Sequence, residues 1–340
     1  MTAGRRISAV AARRVAETLS QPVTELPQLD RLPPGRHAFR LVIGAAPDGT
    51  PVELPVNVAV GRATRPRVVA VAGVHGDELE GPAALLDAWP ALPVKRLRGC
   101  LVTVPVANPP AFRAGRRRSP FDDQDLNRVF PGRADGTLTE RIAHRLFSDV
   151  VVDADFLLSM HSWYANALVM PYVETPAVGP TTESTLGIAR ILGLSWIEPI
   201  EWHPGLLVSV ANRANVPAVE TEIGGLGISV PERNALQARA LMNLLRHLRM
   251  LPGTPDIDAP PALVRRTELR APTAGVLRPE VTVGDPIAPG RRVGRIVDLN
   301  GRPKGEIVAT ASGIIAALRL AIAVEAGDLI AVLFSPLPVA

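Results

Sequence analysis

Short, Val-rich apolar runs that neither alternate with polar residues nor extend far set the strongest limit on how this chain can fold. Residues 67–74 read Arg-Val-Val-Ala-Val-Ala-Gly-Val and residues 100–106 read Cys-Leu-Val-Thr-Val-Pro-Val. Residues 156–160 (Phe-Leu-Leu-Ser-Met) and 218–223 (Ala-Val-Glu-Thr-Glu-Ile) continue the series. Such runs suit strands buried on both faces, the condition of a parallel sheet covered by helices. Helical spacing fills the intervals. Residues 80–92 and the amphipathic 138–150 have it, and so do residues 233–250, which contain no Gly or Pro. This alternation predicts an α/β fold whose sheet is mainly parallel or mixed and flanked by helices. Residues 37–44 and 51–61, on either side of Asp48-Gly49, add a β-hairpin ahead of it.

The texture changes near residue 252. Pro252, Pro255, Pro260 and Pro261 crowd a stretch that reads as a linker. Beyond it the apolar segments are short and glycines frequent. Ala274-Gly275-Val276 followed by Gly284-Asp285 is echoed by Ser312-Gly313-Ile314 followed by Gly327-Asp328. Two similar β units packed face to face explain the echo. The expected organisation is therefore a catalytic domain over residues 1–252, a linker over 253–264 and a small all-β, barrel-sandwich-like module over 265–340. A length of 340 residues accommodates one large domain with such an addition.

Composition narrows the function. Apolar residues make up 47% and charged residues 21%, enough for a sizeable core. The lone Cys100 excludes an intrachain disulfide and a cysteine-based zinc cluster. No apolar run reaches the roughly 18 residues of a membrane span. The first residues carry Arg5, Arg6, Arg13 and Arg14 without an apolar core, so no secretory leader and a cytoplasmic location are expected. The net charge of +4 comes almost wholly from arginine, with Lys95 and Lys304 the only lysines. No basic stripe with interleaved aromatics accompanies it, and nucleic acid is not an expected partner.

Four places carry chemistry. His75-Gly76-Asp77-Glu78 follows a buried strand, where sites form in open α/β sheets. His75 and Glu78 can face one ion across a strand-to-helix turn, and imidazole with carboxylate suits zinc. The plainer alternative is that His75 and Asp77 cap the next helix. His161 closes a second strand on the same edge and completes a His₂Glu set. Glu222 precedes Gly224-Gly225 at the end of a third strand, placed for proton transfer, with Glu220 its competitor two residues earlier. Asn127-Arg128, within Asp125-Leu-Asn-Arg128, makes a carboxylate clamp, and a nearby arginine can stabilise an oxyanion. Arg116, Arg117 and Arg118 compete for that last role. Of the other histidines, His203 beside Trp202 is a candidate to line a pocket.

Taken in order, these motifs resemble the succinylglutamate desuccinylase/aspartoacylase family of zinc-carboxypeptidase-like proteins. The stretches are His75-x-x-Glu78, Asn108-Pro-Pro-Ala-Phe112, Asp125-Leu-Asn-Arg-Val-Phe-Pro-Gly132, His161-Ser162 and Glu222-Ile-Gly-Gly225. Glu78-Leu-Glu-Gly81 and Ser119-Pro-Phe-Asp122 look most like the branch that deacetylates N-acetylated diaminobutyrate. The resemblance implies one zinc per chain on His75, Glu78 and His161, with Glu222 as general acid/base. It implies that Asn127 and Arg128 bind the substrate carboxylate and that Arg117 polarises the scissile carbonyl. Where the family pattern has small glycines after His161-Ser162, this chain has Trp163 and Tyr164, expected to line and reshape the substrate pocket.

The implied activity is hydrolysis of the amide of a small N-acyl amino acid, with self-association into a homo-oligomer left open. The rivals are a metallocarboxypeptidase acting on short peptides and a non-catalytic zinc-binding relative. The C-terminal module also resembles biotinyl and lipoyl carriers. Lys304, its only lysine, lies outside the repeated hairpin positions, so a lid is the expected role.

Overall fold

The computed structural model describes residues 22–201 and 203–338. The basic N-terminal stretch and Trp202 lie outside the described residues. At the centre stands β4 (Arg67–Ala72), all six residues of which are buried. Side chains alternate across its two faces, as strand geometry requires. Val69 and Val71 enter one apolar cluster, and Val68, Ala70 and Ala72 enter another on the opposite side.

On one side β4 runs parallel to β5 (Cys100–Val104). An antiparallel extension follows through β3 (Pro51–Val60) to β2 (Gly35–Ala45), with the two-residue β1 (Pro22–Val23) at the edge. The hairpin turn is Asp48-Gly49, with Asp48 Oδ1 accepting from the Thr50 amide at 2.9 Å. On the other side β4 runs parallel to β6 (Phe156–His161), and β6 to β9 (Ala218–Gly225). The sheet then turns mixed: β7 (Ala167–Pro176) is antiparallel to β9, and β8 (Trp196–Ile200) is parallel to β7.

Helices cover both faces. Helices α1 (Glu80–Ala91) and α6 (Pro231–His247) pack on the face of Val68 and Ala70. Helices α3 (Leu138–Leu146) and α5 (Leu207–Arg213) pack on the face of Val69 and Val71. The start of α3 is a reciprocal capping box between Thr137 and Glu140. Helices α2 (Pro109–Ala114) and α4 (Thr182–Ala189) are the other α-helices among the described residues. Among those residues no helix is long and apolar enough to cross a membrane.

The C-terminal part is woven into this sheet. Strand β10 (Ala262–Arg270) begins within the Pro-rich stretch and pairs in parallel with β8. It continues antiparallel to β17 (Leu329–Pro336), which pairs with β15 (Gly313–Arg319), and β15 returns to β7. Strands β7, β8, β10, β17 and β15 thus close a ring. A second sheet, on which the C-terminal core is built, comprises β11 (Gly275–Pro279), β13 (Arg292–Val297), β14 (Pro303–Val308) and β16 (Ala323–Val324). The short β12 (Pro286–Ile287) edges β15.

The sequence echo has a physical counterpart in two matching turns. Asp285 Oδ2 accepts from the Thr282 amide and Asp328 Oδ2 from the Glu325 amide, each at 2.9 Å. Lys304 is the second residue of β14, just past the Asp298–Arg302 turn, and donates to the Ala274 carbonyl at 2.6 Å.

Candidate active site

Two strand ends and one turn deliver the metal-type ligands. His75 lies just beyond β4, in the turn that leads to α1, and His161 is the last residue of β6. The turn must be tight, because Gly76 packs directly on α2. A Cβ there would lie 2.0 Å from the Ala111 carbonyl carbon, so only glycine is accommodated. The Gly76 amide also donates to the Arg116 carbonyl at 3.0 Å, which draws the following arginine inward.

The side chains converge. Glu78 Oε1 is 2.6 Å from His75 Nδ1, and Glu78 Oε2 is 2.9 Å from His161 Nδ1. All three are buried, and among the described residues they form the only His/Cys/Asp/Glu group able to hold a metal ion. Neither His75 nor Asp77 is the cap of α1, whose N-cap position is Leu79 and whose first-turn amides donate to no capping side chain. Burial pushes the Glu78 carboxyl up, but the two imidazoles outweigh it and hold the group well below the usual carboxylate range.

Each imidazole has a carboxylate behind it. His75 Nε2 lies 3.1 Å from Asp125 Oδ1, and His161 Nε2 lies 3.0 Å from Glu220 Oε1 and 2.9 Å from Ser159 Oγ. Partners of this kind fix ring orientation and tautomer in metal sites. The two imidazole nitrogens and one carboxylate therefore fit a zinc ion chemically, with the outer support such a site uses. Burial lowers the His161 pKa, but Glu220 and Glu78 outweigh it and raise the group, so a proton and a metal ion compete for its Nδ1.

Glu222 stands opposite His161 in the β6–β9 register. Its Oε2 is buried without a hydrogen-bond partner. Burial and the nearby Glu78 push its carboxyl well above the ordinary value, the direction an acid/base group at neutral pH needs. The strand that carries it is anchored by Glu80, whose Oε1 accepts from the Gly225 amide at 3.0 Å.

Of the three consecutive arginines, Arg117 points inward. It donates to Asp125 Oδ2 at 3.1 Å and to Glu78 Oε1 at 3.3 Å, with its guanidinium 4.7 Å from the centre of the Tyr164 ring. Arg116 and Arg118 face outward toward Asp123. The Asn127 side chain is engaged on both sides, donating to Glu220 Oε1 at 3.2 Å and accepting from the Leu207 amide at 2.9 Å. Exposed Arg128 sits at the rim, donating to the Asn127 carbonyl at 2.7 Å.

His75, Glu78, His161, Glu220, Glu222, Arg117, Asn127 and Arg128 line one cavity of about 370 Å³, as do His203, Trp163 and Tyr164. Tyr164 is 40% exposed, whereas Trp163 is 8% exposed and packs with Tyr172, Val264 and Phe334 where β7 meets the C-terminal strands. Trp163 therefore helps to join the two parts of the chain as well as lining the cavity. The far wall holds residues that sequence reasoning missed: Tyr172 and Glu174 from β7, Glu198 from β8, and Arg266 and Glu268 from β10. Pro171 and Pro199 interrupt the strand pattern in β7 and β8, and β7 carries a register shift between Val169 and Tyr172. A short apolar run ending in Ile197-Glu198 was the available signal.

Residues 64–248 match the succinylglutamate desuccinylase/aspartoacylase catalytic domain. The chain belongs to the succinylglutamate desuccinylase/aspartoacylase family. Within this family it is 33% identical over 296 residues to the N-alpha-acetyl-L-2,4-diaminobutyric acid deacetylase of Halomonas elongata, covering 83% of this chain and 85% of that one. In structure it resembles the product-bound ectoine utilization protein EutE (DoeB) of Ruegeria pomeroyi. The TM-score is 0.85 at 28% identity, covering 91% of this chain and 97% of that one. A succinylglutamate desuccinylase/aspartoacylase from Rhodobacter sphaeroides matches with a TM-score of 0.85 at 26% identity, over 92% and 98% of the two chains. The part matched to the family's catalytic domain ends before β10, which supplies Arg266 and Glu268 to the cavity wall.

Proposed function

We propose that this chain hydrolyses the amide bond of a small N-acyl amino acid with one zinc ion, releasing a carboxylic acid and a free amine. The observation that carries this reading is the convergence of His75, Glu78 and His161 beside Glu222 in one cavity. The Halomonas relative, named for deacetylation of an acetylated diamino acid, supports the same reaction class. His75, Glu78 and His161 would hold the zinc ion, which would supply Lewis acidity and bring the pKa of a water toward about 7.

The chain's own residues do the rest. Glu222 accepts a proton from the attacking water as its oxygen bonds to the acyl carbon. When the C–N bond breaks, the same carboxyl returns the proton to the departing nitrogen. Arg117 is held at the cavity by Asp125 and the Tyr164 ring, and its guanidinium stabilises the negative charge that grows on the carbonyl oxygen. Arg128, at the rim, takes the substrate carboxylate. Asn127 positions that turn by tying it to Glu220 and to the start of α5. Residues 1–252 form the catalytic part of this reading, and the β module of 265–340 closes the far wall.

A panel of N-acetyl and N-succinyl amino acids, set against dipeptides and tripeptides, tests the proposal by release of free amine. Turnover of the acylated amino acids ahead of the peptides is expected. Preference for the peptides makes the chain a carboxypeptidase, and bound zinc without release from any of them makes it a non-catalytic relative.

A further inference from the structure

His75, His161 and Glu222 gather at the carboxyl ends of β4, β6 and β9. At the opposite pole of the sheet, where β4 and β5 begin beside the end of β3, lies a second hollow of about 440 Å³. Five arginines line it: Arg62, Arg96, Arg98, Arg246 and Arg249. They come from three segments, the turn after β3, the turn before β5 and the end of α6. No carboxylate and no aromatic ring is among the lining residues, whose apolar part is Met250, Leu251 and Pro252. Among the described residues none of the five guanidiniums pairs with an Asp or Glu, and Arg246 alone makes a side-chain hydrogen bond, to Asn243 Oδ1 at 3.3 Å. Elsewhere exposed arginines meet carboxylates, as in Arg40–Glu53, Arg65–Asp155 and Arg292–Glu306.

Backbone hydrogen bonds hold the three segments together. The Arg62 amide donates to the Leu97 carbonyl at 3.0 Å, and the Arg98 amide to the Met250 carbonyl at 2.8 Å. Gly61 allows the first approach, since a Cβ there would lie 2.2 Å from the Leu97 carbonyl oxygen. The C-terminal end of a helix favours cations, which accounts for Arg246 and Arg249. It does not account for Arg62, Arg96 and Arg98, which the other two segments bring to the same hollow. Gathered like charges repel one another, and a concave surface of one sign concentrates counter-ions of the other. The guanidinium fork matches two oxygens of one phosphate, and a hollow of this size takes a sugar-sized molecule. Without aromatic faces it lacks the stacking platform that single-stranded nucleic acid uses.

We propose that this arginine-lined hollow binds a small anion carrying at least two phosphate groups, at a site separate from the amide-hydrolysing cavity. Fructose 1,6-bisphosphate is the probe, and fructose 6-phosphate is its counterpart with one phosphate. Both are titrated by calorimetry into the metal-loaded full chain at low ionic strength, where exposed charges are least screened. Amine release plays no part in the readout, so the site stands or falls independently of the proposed reaction.

Saturable binding of the bisphosphate is expected, at least about tenfold tighter than the monophosphate. Arg62→Ala with Arg98→Ala is expected to weaken it by about tenfold or more. Arg278→Ala with Arg302→Ala removes the same net charge from exposed positions on the C-terminal module and is expected to change it by less than about twofold. Arg96→Ala with Arg249→Ala takes the place of the first pair if that pair does not fold, as judged by thermal unfolding. No saturable binding, equal affinity for the two sugars, or equal loss from the hollow and control pairs overturns the proposal. Phosphatidylglycerol vesicles separate a free anion from a lipid headgroup: co-sedimentation with them, without bisphosphate binding, also overturns it.

Discussion

Glu222→Gln is expected to lower kcat by on the order of 10³-fold, leaving metal content and fold intact. The amide keeps the shape of the carboxyl and removes its ability to accept a proton from water. Glu222 is outside the His75–Glu78–His161 group, so zinc measured by mass spectrometry should match the wild type. The wild-type carboxyl is buried with an oxygen that accepts no hydrogen bond, so neutralising it is also expected to hold or raise the thermal midpoint. A Glu222→Gln enzyme with near wild-type turnover would remove this residue from the chemistry and point to Glu220 in its place.

His161→Ala should behave in the opposite way on every count except activity. Removing one of three protein ligands abolishes stoichiometric zinc and reduces amine release to background. The imidazole also stands between two buried carboxylates, Glu78 and Glu220, at 2.9 Å and 3.0 Å. Its loss leaves Glu78 with His75 and Arg117 but Glu220 with Asn127 alone, a change that costs up to roughly 3–5 kcal/mol when one partner of a buried pair is removed. Thermal unfolding of the metal-free wild type beside the metal-free variant isolates that penalty. The pair of variants therefore separates a group that acts on protons from one that holds the site together.

The contrast between Glu220 and Glu222 also shows what the sequence conveyed and what it did not. His75, Glu78 and His161, and a carboxylate at 220 or 222, stood out as candidates because each lies at or just after an apolar run that reads as a buried strand. Sites gather beyond the carboxyl ends of such strands. The choice between Glu220 and Glu222 was not legible, since both lie on one face of the same strand. It took the β6–β9 register to place Glu222 opposite His161 and the side-chain packing to put Glu220 behind the ring. Asp125 was visible only as part of a motif, and its bond to His75 spans 50 residues of sequence.

Beyond residue 161 local pattern misled in two places. Pro171 and Pro199 disguised β7 and β8, and with them the acidic far wall of the cavity. The Pro-rich stretch near residue 260 has the composition of a linker. Pro260 and Pro261 in fact immediately precede β10, a strand that hydrogen-bonds to β8. Proline is tolerated at a strand's entrance because no ladder donor is needed there. Trp163, expected to reshape the pocket, also buries most of its surface in the junction that this pairing creates.

The most direct test of the central claim is amine release from N-acetyl amino acids by metal-quantified protein, before and after chelation and again after zinc is restored. The account predicts about one zinc per chain, release that stops with the chelator, and recovery on adding zinc back. Undiminished release from protein stripped of metal would contradict it.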